Sequence, residues 1–351
     1  MTRRTRALAT LAATAALTVG VATPALACGG LIGPNGAVNL TRTTTLAGYA
    51  NGVEHYVTSF EFAGGGGAFG SLTPLPGVPT KVERGGDWTL QRLGIETAPP
   101  SLAAGFRAPV PSAPADTAQV LLETKVDALD ITVLKGGGDA VGRWATEHGF
   151  RLPPDAPEVL DFYAARSPIF LAAVFDADEA RKRGQGVGDG TPVHVEIPTD
   201  NPWVPLRILA LGKFGGEPVQ ADVYLLTQER PRLLSTTPIG RGLGSRETLA
   251  VTYDQPATDG LLTDLRTDRG GGWVPEHGWV TKVRVNGPAS TVTGDLAIDA
   301  SGVRQPSLVK AGLSLPATAP EREESSPLPV VALLGLGTLL LGGFVAAAAK
   351  R

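Results

Sequence analysis

One cysteine in 351 residues rules out an internal disulfide framework, because a single thiol has no partner within the chain. A net charge of −3 supplies no bulk positive charge, so binding to nucleic acid through the phosphate backbone is excluded as well. Aromatic side chains make up only 6% of the sequence, and histidine occurs four times. Charged residues are 19%, against 42% hydrophobic, which is too apolar for a solvated coil despite 45 glycines and 29 prolines. The totals fit a globular protein of one large or two ordinary domains.

The two ends differ from the middle. Arg3, Arg4 and Arg6 precede an uncharged Ala/Leu/Val-rich run from Ala7 to Ala22, broken by Pro24 and followed by Ala25-Leu26-Ala27. Basic head, short apolar stretch and small residues make residues 1–27 a secretory signal, with cleavage expected before Cys28. An uncleaved anchor is the weaker reading, since the run is short and alanine-rich. A twin-arginine signal is disfavoured by Arg6, which stands where that signal carries an apolar residue. Cys28 at the new N-terminus is a lipidation candidate, although Ala25 occupies the place where a lipobox has leucine.

At the other end, 22 uncharged residues from Leu328 to Ala349 are closed by Lys350 and Arg351. That length at helical rise matches the hydrocarbon thickness, so 328–349 is expected to be a single transmembrane helix with 350–351 as a cytoplasmic tail. A stalk, 313–327, precedes it and contains Leu315-Pro316-Ala317-Thr318-Ala319, which has the order of a sortase sorting signal with alanine at the fifth place. An accidental match in a Pro/Ala-rich stretch is the favoured reading and sorting the alternative. Removing the five terminal basic residues leaves 26 basic against 34 acidic side chains, so the exported part carries −8. That charge disfavours anionic lipid and nucleic acid as partners.

The body, 28–312, is expected to be an α+β domain: an antiparallel-rich sheet with short helices inserted on one side. Asn51-Gly52 between two β-type runs predicts a two-residue hairpin turn, with Tyr56, Phe60 and Phe62 toward the core and His55 on the opposite face. Asp87, Asp139 and Asp155 are expected to cap helices. Ile169 to Phe175 is a buried strand, Val193 to Ile197 a half-buried one, and Leu206 to Leu211, Val219 to Leu226, Thr248 to Tyr253, Trp279 to Val285 and Thr291 to Ile298 add further strands. A short polar helix is expected near Leu261 to Leu265, and Asp176, Asp178 and Glu179 are placed in a solvated loop. Five prolines between Thr97 and Thr117 mark a possible sub-boundary.

Cys28-Gly29-Gly30-Leu31, His55-Tyr56-Val57-Thr58-Ser59-Phe60, Pro74-Leu75-Pro76-Gly77-Val78-Pro79 and Val204 to Leu211 occur in that order. Together they resemble the bacterial domain-of-unknown-function family 2330, whose members are exported proteins with an early Cys-Gly-Gly. The resemblance spans Cys28 to about Ser301. It implies export and one extended domain, and brings no activity, cofactor or catalytic residue.

No catalytic motif stands out. Gly65-Gly66-Gly67-Ala68-Phe69-Gly70 lies in a stretch that matches G-x-G-x-x-G by letter, but prolines 74, 76 and 79 forbid the helix a phosphate cradle needs. Ser307-Leu308-Val309-Lys310 matches Ser-x-x-Lys only by letter, and no G-x-S-x-G is present. His55, His194 and His277 are the candidate metal ligands, without the spacing of a zinc motif. Trp88 and Trp273 follow similar turns, Arg84-Gly85-Gly86-Asp87 and Arg269-Gly270-Gly271-Gly272, and are candidates for ligand stacking. The sequence therefore points to a membrane-anchored extracytoplasmic protein with a binding or scaffold role toward an unknown protein or cell-wall partner. The alternative is an envelope hydrolase with a dispersed active site.

Overall fold

In the computed structural model, residues 30–34, 36–37, 42–61, 68–99, 121–185, 190–304 and 306 are described. The chain divides into two compact units, Met1–Ser314 and Leu315–Arg351, and all described residues belong to the first. The expected signal segment, Cys28, most of the proline-rich stretch, the Ser-x-x-Lys match, the stalk and the apolar C-terminal run lie outside the described residues. Among the described residues no helix is long and apolar enough to cross a membrane.

The strands in chain order begin with β1 (Gly30–Gly33), β2 (Gly36–Ala37), β3 (Thr43–Ala50), β4 (Val53–Glu61), β5 (Phe69–Leu75), β6 (Lys81–Arg84), β7 (Leu122–Val126) and β8 (Leu129–Lys135). They continue with β9 (Ile169–Phe175), β10 (Gly190–Pro198), β11 (Trp203–Val204), β12 (Pro218–Thr227), β13 (Arg232–Leu234), β14 (Ile239–Arg241), β15 (Leu249–Pro256), β16 (Trp279–Pro288) and β17 (Leu296–Asp299). Five short helices intervene: α1 (Thr89–Glu96), α2 (Gly138–Glu147), α3 (Ala156–Ala164), α4 (Ala177–Lys182) and α5 (Asp259–Thr267). The protein is sheet-rich α+β, and its strands form three sheets rather than one. A six-stranded sheet has the order β2-β1-β5-β9-β8-β7, an eight-stranded sheet β14-β15-β16-β12-β3-β4-β10-β6, and a small one β11-β17-β13. Pairing is antiparallel except β12 with β3 and β14 with β15.

Side-chain alternation explains the layering. Ile169, Leu171, Ala173 and Phe175 of β9 join Val219, Ala221, Val223 and Leu225 of β12 in one core between the two large sheets. Phe170 and Ala172 point the other way, into a second core under α2 and α3, where Val141, Trp144, Ala145, Leu160 and Tyr163 are buried. Tyr224 and Leu226 likewise enter a third core with Leu93 of α1 and Leu261, Leu262 and Leu265 of α5. Helices thus cover both outer sheet faces, not one side only. The short helix at 259–267 is amphipathic rather than polar for the same reason.

The hairpin forms as expected, with Asn51 and Gly52 at φ 53° and 79°. Val193 to Ile197 is more than half-buried: on its outer face His194 is covered by the turn at Gly270, while Glu196 stays partly exposed. Leu206 to Leu211 is not a strand but holds a 3₁₀ turn at Arg207–Ala210. The Leu206 and Arg207 amides donate to Asp295 and the Ile208 amide to the Tyr163 hydroxyl, which removes them from any ladder. Thr291 to Ile298 becomes a strand only from Leu296. Asp176, Asp178 and Glu179 form a helix start rather than a loop: half-buried Asp176 accepts the Asp178 and Glu179 amides and caps α4. Asp155 precedes α3 without capping it, its carboxylate instead accepting the Gly212 amide at 3.0 and 3.1 Å. Asp139 sits in the first turn of α2, one residue inside the helix start.

Candidate functional site

Register on the outer face of the eight-stranded sheet assembles the site. Gly48, His55, Glu196 and Lys81 lie opposite one another in sequence across β3, β4, β10 and β6. The next row on that face is Leu46, Val57, His194 and Glu83. Directly opposed residues bring their Cβ atoms to about 5 Å, so two imidazoles, two carboxylates and one ammonium share a patch.

His55 Nδ1 stands 3.1 Å from His194 Nε2. Both residues are buried, at 6% and 1% exposure. Burial pushes the His55 pKa down to about 3, aided by neighbouring His194 and Lys81, and lowers that of His194 despite Glu196 and Glu83. Both rings are therefore neutral at physiological pH. Glu83 Oε1 lies 3.4 Å from His194 Nδ1, within ion-pair range but outside hydrogen-bond geometry, so this buried nitrogen has no hydrogen-bond partner. The adjacent carboxylate favours a proton on Nδ1, which leaves the Nε2 lone pair of His194 to accept from His55 Nδ1–H. Lys81 balances the acids, 2.8 Å from Glu83 and 3.6 Å from Glu196.

Trp273 roofs the patch. Its indole stacks on the His55 ring with centroids 4.2 Å apart and planes 4° from parallel. Gly48 makes this possible, because a Cβ there would lie 2.0 Å from the indole. The two Gly-rich turns noted in the sequence meet here around Asp268. Its carboxylate accepts the Asp87 and Trp88 amides, each at 3.1 Å, and the Thr89 hydroxyl at 2.7 Å. Asp268 thereby supplies the start of α1 with the acceptor expected from Asp87, whose own carboxylate pairs with Arg84. Gly270, at φ 73°, brings backbone against His194: a Cβ there would stand 3.1 Å from Nδ1. A small pocket opens between these turns, lined by Gly86, Thr89, His194, Arg269, Gly270 and Trp273, among others.

Of the candidate residues, His55, His194 and Trp273 come together. His277 is exposed and outside the cluster, and Trp88 is half-buried on the other Gly-rich turn. Cys28 lies outside the described residues. Glu54, adjacent to His55, points away from the site, and its Oε2 accepts the Trp203 amide at 3.3 Å. Sequence reasoning missed Glu83, Glu196, Lys81, Gly48 and Asp268. The His194–Glu196 spacing places both on one strand face and was the one local signal, but His55, Glu83 and Lys81 arrive only by strand pairing. Chemically, the patch offers two neutral imidazoles and a carboxylate whose ligand atoms all lie within 4.8 Å of one another. That is a donor set suited to a transition-metal ion.

The family described as "Uncharacterized protein conserved in bacteria (DUF2330)" matches residues 22–299. The chain belongs to this family. The match contains both rows of the polar patch and the Trp273 roof, so the site lies within the family domain. No curated protein matches the chain. Among solved structures, baculovirus P35 is similar at 9% identity and TM-score 0.39, over 74% of this chain and 96% of that one. A mutated baculovirus P35 after caspase cleavage gives 9% identity and TM-score 0.38, over 74% and 99%. The caspase-8/P35 complex gives 8% and 0.35, over 75% and 96%.

Proposed function

We propose that this bacterial protein is a binding module held on the outer surface of the membrane. Residues 1–27 direct export, 28–312 form the binding domain, 313–327 a stalk and 328–349 the single span, with 350–351 inside. The partner is a protein or a cell-wall component, and nucleic acid is disfavoured by the −8 charge of the exported part. The observation carrying the binding reading is His194: a buried imidazole whose Nδ1 has no hydrogen-bond partner while Nε2 meets His55, lining a pocket between two Gly-rich turns beside Trp273. Glu54 Oε1 and Trp144 Nε1 are also buried without partners, but His194 alone of these three lines that pocket.

Topology is tested in the full chain with Cys28→Ser as background, adding either Phe214→Cys, at a side chain 84% exposed, or Arg351→Cys in the tail. An impermeant maleimide labels Phe214→Cys on intact cells and Arg351→Cys only after lysis. The reverse pattern, or release of the chain by an alkaline carbonate wash, overturns the reading. The second reading, an envelope hydrolase, is favoured by the two imidazoles and carboxylate, a donor set that also serves metal-assisted hydrolysis. Chelator-sensitive cleavage of wall peptides by the purified chain would select it.

A further inference from the structure

We propose that His55 Nδ1, His194 Nε2 and the Glu196 carboxylate bind one divalent transition-metal ion of the zinc class. This inference rests on the polar patch under Trp273 being the binding site and names what it binds; of the three donors, His194 lines the adjoining pocket. The two nitrogens are 3.1 Å apart, close to the ~3.4 Å that separates tetrahedral donors at ~2.1 Å from zinc. All three donor atoms fall within 4.8 Å of one another, so a swing of the Glu196 side chain away from Lys81 closes the set.

Loading needs two changes: His55 moves its proton from Nδ1 to Nε2, and Glu196 swings away from Lys81. His194 is positioned by Glu83 beside Nδ1, the carboxylate–histidine arrangement that orients metal-bound imidazoles and raises their basicity. Nitrogen donors select zinc, copper, nickel or cobalt over calcium and magnesium, which take oxygen. Three protein donors leave at least one position for water or for a donor atom of the partner. Lys81 supplies the positive charge beside both carboxylates in the metal-free protein and is displaced from Glu196 on loading.

The full chain is purified in detergent, stripped with a chelator and titrated with Zn²⁺, Co²⁺ and Cu²⁺. One ion per chain is expected, with two-nitrogen hyperfine structure in the copper spectrum and quenching of Trp273 emission that Trp273→Phe removes. His194→Gln abolishes this signature. Glu196→Gln and Glu83→Gln, both at partly exposed carboxylates, keep the metal-free melting temperature and lower affinity, Glu83→Gln by about tenfold. Lys81→Ala raises affinity. Absence of binding tighter than about 1 mM overturns the proposal, as does a copper spectrum unchanged in His194→Gln. A metal-free result leaves the outer-surface reading standing, whereas inverted maleimide labelling removes that reading and leaves the ion.

Discussion

The outer faces of the two large sheets are each covered by two helices and each bury polar side chains, but they treat them differently. Under α2 and α3, Asp295 is fully buried and meets four donors: the Tyr163 hydroxyl at 2.9 Å, the Leu206 and Arg207 amides at 2.7 and 2.9 Å, and the Arg166 guanidinium. Arg166 itself lies 3.9 Å above the Trp203 ring. Under α1 and α5, His194 is almost equally buried, yet its Nδ1 lacks a hydrogen bond and the residue lines a small pocket. Burial of charge with every acceptor filled is a device for holding three elements together. A buried nitrogen left without a hydrogen bond beside a pocket is instead the feature on which the proposed binding role rests.

The comparison breaks first at Asp295. Asp295→Ala strands Arg166 beside an empty acceptor site and is expected to cost about 3–5 kcal/mol in denaturant unfolding, without touching metal affinity in the folded fraction. A loss under about 1 kcal/mol would mean that the knot is not structural.

Glu54 sharpens the contrast, because it is buried and half-satisfied but does not line the pocket beside His194. Burial raises its pKa from the ordinary 4.5 to about 8, with the Trp203 amide opposing. The folded state thus holds its proton longer than the unfolded chain does. Its contribution is fully present below pH 4.5 and is lost by about 1.4 kcal/mol per pH unit until pH 8. Glu54→Gln removes that slope, so the stability difference between variant and parent, measured by chemical unfolding from pH 5 to 8, grows with pH. A pH-independent difference would show that Glu54 ionises normally.

The smallest effect is expected on the open side. Gly48→Ala forces the Trp273 indole off His55 and is expected to cost about 1–3 kcal/mol, as overpacking does. Tryptophan emission should shift to the red as the ring meets water. Unchanged emission would mean that the roof does not depend on Gly48.

Much of the fold was legible. The hairpin at Asn51-Gly52, the buried strand at 169–175 and the Val141, Trp144, Ala145 stripe follow from turn chemistry and periodicity. The 3₁₀ turn at 207–210 was not, because Asp295, 85 or more residues downstream, takes the amides that a local reading assigns to a ladder. Of the site, His55, His194 and Trp273 were visible as residue types, and the third histidine grouped with them lies outside the cluster. His277 is exposed, while Glu196 completes the group through the β4–β10 register.

By itself, then, the sequence determined which faces are apolar, where turns fall and the family, since these depend on local pattern and the order of segments. Only tertiary structure decided that the two Gly-rich turns clasp one carboxylate and that His55 meets His194 at 3.1 Å across 139 residues. The reason is physical. Strand register sets side chains from distant segments about 5 Å apart, and nothing within either segment encodes which partner it will meet.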